Sequence, residues 1–184
     1  ALYARNSAEW VNAYFATLTY GAVTVPFLPD FIPSAVAELA SFSECKILLA
    51  DDIAIKGLME NGANMELLEK TDGFSGFINI KDISVAHATL KALSDAHDAM
   101  DTLFAKQYPN GLKVEDVDYY PVERDMEDVV EISFTSGTTS ATSKGVVLPA
   151  RSLSVNLEFA QREIPVAKGG HIFAILPMAH MFGQ

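Results

Sequence analysis

"SFTSGTTSATSKGVVLP", residues 133–149, sets one glycine and a run of hydroxyls ahead of a lysine, as a phosphate-binding loop would. The commonest such loop needs a second glycine directly before its lysine and a helix directly after it, so that helix N-terminal amides meet the anion. Here Ser143 precedes Lys144, and the run Gly145-Val146-Val147-Leu148 is rich in β-branched residues and stops at Pro149. The pattern therefore predicts strand, hydroxyl-rich loop, strand. Working outward, "VVEISFT" before the loop reads as a central strand. Residues 152–163 read as a helix that ends before Pro165, and "HIFAILP" (171–177) as a further strand.

Upstream, helices and strands alternate. Ser7 is a plausible N-cap, and Trp10, Val11, Tyr14, Phe15 and Leu18 repeat at helical spacing until Gly21. "AVTVPF" reads as a strand stopped by prolines, Pro33 suits a first helical turn, and "SAVAELASF" carries a second helix. "CKILLA" is a continuous apolar run of the kind a buried parallel strand shows, and "FSGFINI" reads as another strand. Residues 85–106 follow a helical pattern with Leu93, Met100, Leu103 and Phe104 on one side, and a polar, turn-rich connection comes next. This order predicts an α/β fold, a layered parallel-sheet unit with right-handed crossovers, spanning residues 1–184 as one domain.

Composition bounds the function. The 184 residues are 49% hydrophobic and 20% charged, which suits a packed core. A formal charge of −11 argues against a nucleic-acid or anionic-membrane surface, either of which needs a basic patch. Phosphate binding survives that balance where a site supplies its own donors and cation. The single cysteine, Cys45, excludes an internal disulfide framework. No apolar run is long enough to span a bilayer, so a soluble, cytoplasmic protein is expected. Neither "ALYARNSAEW" nor "LPMAHMFGQ" looks like a natural terminus, and a piece of a longer chain is expected.

Two lesser candidates have simpler explanations. His97 and Asp101 lie one helical turn apart, as metal ligands do, but no nearby residue completes a set, and a solvated face is the better reading. Asp51 and Asp52 end a strand where ligands often sit, yet helix capping accounts for them.

The loop offers more. Thr135, Ser136, Thr138, Thr139, Ser140, Thr142 and Ser143 crowd hydroxyls around Gly137, and with exposed amides they suit a polyphosphate, while Lys144 adds a point charge. A solvated Ser/Thr hairpin without a ligand is the bland alternative. Against it, "FTSGTTSATSKGVVL" resembles the TSGTTG-x-PKG signature of the adenylate-forming (AMP-binding) superfamily, which includes acyl-CoA synthetases, long-chain fatty acid-CoA ligases, luciferases and peptide-synthetase adenylation domains. "ARNSAEWVNAYFATLTYGAVTVPFLPD…CKILLADD" is similar to that family's N-S-x-E-W, A-G-A-V-x-V-P and K-x-L-L-x-D run. "ILPMAHMFGQ" resembles its L-P-x-x-H-x-x-G segment. All three stand in family order.

The resemblance implies the front of a large N-terminal adenylation domain, with the natural N- and C-terminal parts missing. It implies ATP-dependent activation of a carboxylic acid, a fatty acid foremost, to an acyl-adenylate and then an acyl-CoA, with Mg2+ and coenzyme A as cofactors. By motif position, Thr135, Ser136, Gly137, Thr138, Thr139 and Lys144 are the ATP-phosphate contacts. One hydroxyl among Thr135, Ser136, Thr138 and Thr139 shares the magnesium, and His180 is the catalytic histidine near the acyl carboxylate, unless it is a core or capped histidine. Met178, Met181 and Phe182 line the acyl channel or serve as core residues. This chain departs from the family pattern at Ser140 for glycine, at Ser143 for proline, and by one extra residue before Lys144. Those departures keep a non-catalytic nucleotide-binding relic as one alternative; an adenylation domain that loads an amino or aryl acid onto a carrier protein is the other. The fragment alone is expected to be inactive and to self-associate.

Overall fold

Ser7 and Gly21 bound helix α1 (Ala8–Tyr20) as the sequence predicts. The Ser7 hydroxyl accepts from the Trp10 amide at 3.1 Å, and Gly21, at φ 91°, takes the left-handed conformation that ends the helix. The computed structural model describes residues 1–116, 125–135, 144–164, 166–171, 173 and 176–180.

Five strands form one sheet in the order β2-β1-β3-β4-β5. They are β1 (Leu2–Tyr3), β2 (Pro26–Phe27), β3 (Ile47–Ala50), β4 (Gly76–Asn79) and β5 (Val85–Ala88). β1 pairs parallel with β2 and with β3, β3 pairs parallel with β4, and β5 runs antiparallel to β4. β2 is shorter than "AVTVPF" suggests, and Pro26 lies inside it, a placement open to proline at a sheet edge. Beyond that edge Thr24 bridges to β6 (Val129–Phe134) in parallel: the Thr24 amide donates to Val130 O and its carbonyl accepts from Ile132 N, both at 2.9 Å.

Alternation along the strands splits the core between two faces. Leu48 and Ala50 join Tyr3, Phe27 and Phe77 under α2 (Pro33–Phe42), α3 (Asp52–Met59) and α4 (Gly62–Glu69). Leu49 points the other way, with Leu2, Ala4 and Ile80, onto α1 and residues Met178 and Ala179. The result is a three-layer α/β/α arrangement with a mostly parallel sheet.

The expected helix over residues 85–106 is a correction. Its first four residues form β5, and helix α5 (Lys91–Gln107) begins only afterwards. Val85 and His87 alternate inward with period 2, and the His87 ring lies 5.7 Å from that of Phe77. Tertiary packing overrides the helical propensity of an alanine-rich run. Of the strand expected at 171–177, residues 172, 174 and 175 lie outside the described residues, and the other four pair with no strand. Helix α6 (Ala150–Glu163) follows as expected.

Asp51 caps α3 at the carboxyl end of β3, its Oδ1 accepting from the Ala54 amide at 2.9 Å and its Oδ2 from Arg5 Nε at 3.2 Å. Burial pushes this carboxyl up, but the Ala54 and Arg5 amides and the Arg5 guanidinium outweigh it and hold it below the usual range. A depressed carboxylate stabilises the fold above its unfolded pKa, about 3.9, and the contribution fades as pH falls through the lower folded value. Asp51→Ala is expected to cost about 0.5–2 kcal/mol at neutral pH in urea unfolding. Asp51→Asn, which keeps a capping oxygen, is expected to cost less and to flatten the acid limb of stability against pH.

Candidate functional site

β6 and β7 (Gly145–Pro149) form an antiparallel hairpin in which Phe134 pairs with Gly145. One rung beyond, the Thr135 amide donates to the Lys144 carbonyl at 3.1 Å. The backbone thus brings Thr135 and Lys144 face to face at the mouth of the loop. Ser136, Gly137, Thr138 and Thr139, with Ser140 to Ser143, lie outside the described residues. No helix begins at Lys144; strand continues to Pro149, which removes the helix-anchored type of phosphate loop.

The hairpin is anchored by the residue just before its mouth. The Phe134 ring stacks on Phe27 at 6.0 Å and meets Phe42 edge-on at 6.5 Å. Gly145 lies against that ring: a Cβ there would be 3.1 Å from Phe134 Cε1 and 3.3 Å from Ile132 Cγ2, tighter than ordinary packing. A larger residue beside Lys144 would require the Phe134 ring or the Ile132 side chain to give by a few tenths of an ångström. Lys144 is exposed, and among the described residues no carboxylate lies within ion-pair distance of it. It borders an open cavity of about 670 Å³ walled by Phe42, Ile132 and Phe134.

His180 sits on a different segment. Asn6 holds that segment through both ends of its amide: Nδ2 donates to Leu176 O at 2.8 Å and Oδ1 accepts from Met178 N at 2.7 Å. The His180 amide donates to Pro177 O at 2.9 Å, and its side chain is exposed. Ala179 is buried, and Met178 packs partly buried against the α1 face, so Met178 serves the core. Met181 and Phe182 lie outside the described residues. Two of the three motifs are thus joined by Asn6, whose role the sequence reading missed although it stands in "NSAEW".

A second connection also escaped that reading. Glu131, in the middle of β6, is fully buried, and its Oε2 accepts from the Tyr14 hydroxyl at 2.8 Å. Burial first, then the neighbouring Glu131 charge and the hydrogen bond to it, push the Tyr14 phenol far above its ordinary range. The only sequence-level signal was an acidic residue inside a largely apolar strand.

The family model described as "AMP-binding enzyme" matches residues 1–184. The chain belongs to the AMP-binding enzyme family. Among solved structures it is similar to ATP-bound MatB from Rhodopseudomonas palustris, at 21% identity and TM-score 0.67, with 99% of this chain and 31% of that one covered. It is similar also to the long-chain-fatty-acid-CoA ligase FadD1 from Archaeoglobus fulgidus, at 22% and 0.61, covering 99% and 30%. A third is the anthranilate CoA ligase AuaEII in complex with anthranoyl-AMP, at 15% and 0.68, covering 97% and 30%. The chain therefore spans about a third of the length of each of these structures. No curated protein matches it.

For an AMP-binding enzyme the described groups fit a triphosphate. An exposed lysine with no ion pair among the described residues and an exposed threonine face each other at the loop mouth, donors of the kind an anion can accept from. Among the described residues no cluster of three or more His, Cys, Asp or Glu could hold a metal. No helix among the described residues is long and apolar enough to cross a membrane.

Proposed function

We propose that the full-length protein activates a carboxylic acid, a fatty acid foremost, by adenylation with ATP and Mg2+, then passes the acyl group to coenzyme A. One observation carries this reading: the β6–β7 mouth, where backbone pairing sets Thr135 against Lys144, an exposed lysine with no ion pair among the described residues. In the first step the acid's carboxylate attacks the α-phosphate and pyrophosphate leaves. Two anions must approach, and charge grows on the leaving group, so preorganised donors and a cation are what the step demands of the protein. Lys144, Thr135 and the loop residues Ser136, Gly137, Thr138 and Thr139 take that role, with one loop hydroxyl sharing the magnesium. Release of pyrophosphate requires the site to open again, and gating steps of that kind run in microseconds to milliseconds. His180, exposed on a segment pinned by Asn6, takes the position beside the acyl carboxylate.

The similarity to a long-chain-fatty-acid-CoA ligase supports the acyl class. The similarity to an anthranilate CoA ligase keeps an aryl acid as the second reading. The test is exchange of labelled pyrophosphate into ATP by the full-length protein, with a panel of fatty, aryl and amino acids. Exchange that depends on a fatty acid and Mg2+, followed by acyl-CoA formation, is expected. Exchange only with aryl or amino acids overturns the fatty-acid assignment, and nucleotide binding without exchange makes the protein a binding module.

A further inference from the structure

Four residues before Thr135, a carboxyl side chain lies wholly inside the protein. Burying such a group is costly unless it is partnered, and an apolar residue of similar volume at a packed site is often as good or better for stability. Glu131 is a poor choice for filling space.

Its position in the fold gives it a use. The two-residue period of β6 puts Glu131 and Ser133 on one face and carries that face to Thr135, while Phe134 points to the opposite core. The strand is therefore gripped on both sides just ahead of the loop mouth. Phe134 is wedged between Phe27 and Phe42 on one side, and Glu131 is bound by Tyr14 on the other. Tyr14 in turn is fixed by stacking on Trp10, with ring centroids 5.2 Å apart and planes 14° from parallel. Both rings belong to α1, and just before that helix Asn6 holds the segment carrying His180. Asn6 and Tyr14 are separated by about two helical turns. One rigid element thus touches both halves of the site: the acyl-side segment at its start and the phosphate-side strand near its middle.

We propose that Tyr14 and Glu131 are positioning residues, whose hydrogen bond sets the phosphate-loop strand relative to the His180 segment through α1. The role rests on the adenylation reading above. It acts through Thr135 and Lys144, and neither Tyr14 nor Glu131 contacts substrate. Misplacement of reacting groups by about 1 Å costs on the order of 100-fold in rate, so a small shift of β6 against α1 is enough to register.

The test uses the full-length protein in four forms: unmodified, Tyr14→Phe, Glu131→Gln, and the double variant Tyr14→Phe/Glu131→Leu. For each, the thermal midpoint is measured with kcat and KM for ATP in acid-dependent pyrophosphate exchange. Tyr14→Phe strips a buried carboxyl of a donor, so the midpoint falls and exchange drops roughly 10- to 100-fold. Glu131→Gln keeps an acceptor for the hydroxyl and retains more exchange than Tyr14→Phe. The double variant replaces both polar groups with apolar ones of similar shape, which recovers the midpoint while exchange stays low. A double variant with both midpoint and exchange restored makes the pair packing alone and overturns the proposal. A folded Tyr14→Phe protein with unchanged kcat and KM does the same without the double variant. No exchange by the folded unmodified protein with any acid overturns the adenylation reading itself, and this role with it.

Discussion

Lys144→Ala in the full-length protein is expected to slow pyrophosphate formation by roughly 10- to 150-fold, the value of one charge-assisted contact of about 1.5–3 kcal/mol. What ties the residue to the hairpin is its carbonyl, which accepts from Thr135, so alanine leaves the strand pairing intact. The side chain is exposed and carries no ion pair among the described residues, so little stability is lost with it. The deficit should therefore appear in chemistry and not in folding. It should also appear in one half-reaction. Charge develops on the leaving pyrophosphate during adenylation, whereas thioester formation from supplied acyl-adenylate involves no β- or γ-phosphate. Rates for the two steps, measured separately with an unchanged thermal midpoint, check this. Equal losses in both would place Lys144 outside the phosphate site.

The parts of this arrangement that are local in sequence were readable in advance. Ser7 and Gly21 mark the ends of α1 because a cap and a left-handed residue are single-position requirements. Valines after Lys144 weigh against a helix because their branched side chains favour extended backbone, and β7 follows. Two elements failed for want of local signal. β1 has only Leu2 and Tyr3, too few for any periodicity, yet it lies between β2 and β3. β5 was taken into α5 because "VAHA" is alanine-rich, and only its pairing with β4 reveals a strand. The hydroxyl-rich loop motif and the L-P-x-x-H motif were likewise visible one at a time. What joins them is not local: Tyr14 meets Glu131 across 117 positions, and Asn6 reaches Leu176 across 170. Polar contacts of that separation leave no spacing pattern, only an acidic residue in a strand and an asparagine before a cap.

The 184 residues on their own are expected to be catalytically silent, even with the loop mouth correctly formed. They span about 30% of the length of the solved structures they resemble, and the sequence has no Y-G-x-T-E run to contact adenine. Phosphate contacts alone must overcome the conformational entropy lost on binding, roughly 1–2 kcal/mol for each residue a ligand fixes. With base and sugar contacts lacking, affinity for ATP should be no tighter than about millimolar, a free energy near −4 kcal/mol. The same chain should associate with itself. α6 displays Val155, Leu157 and Phe159 and buries none of its residues, and α5 displays Met100, Leu103 and Phe104. Beside α1 an open cavity of about 870 Å³ is lined in part by Leu49, Ile78 and Ile80. Exposed apolar surface of this kind invites contact between copies. Titration calorimetry with ATP and magnesium, a pyrophosphate-release assay and sedimentation across a concentration series test these expectations on one preparation. A monodisperse monomer would show the exposed faces to be harmless. Micromolar ATP binding or steady turnover would show that the working site is already complete within these residues, and the assignment of Lys144 and Thr135 to only one half of it would fall.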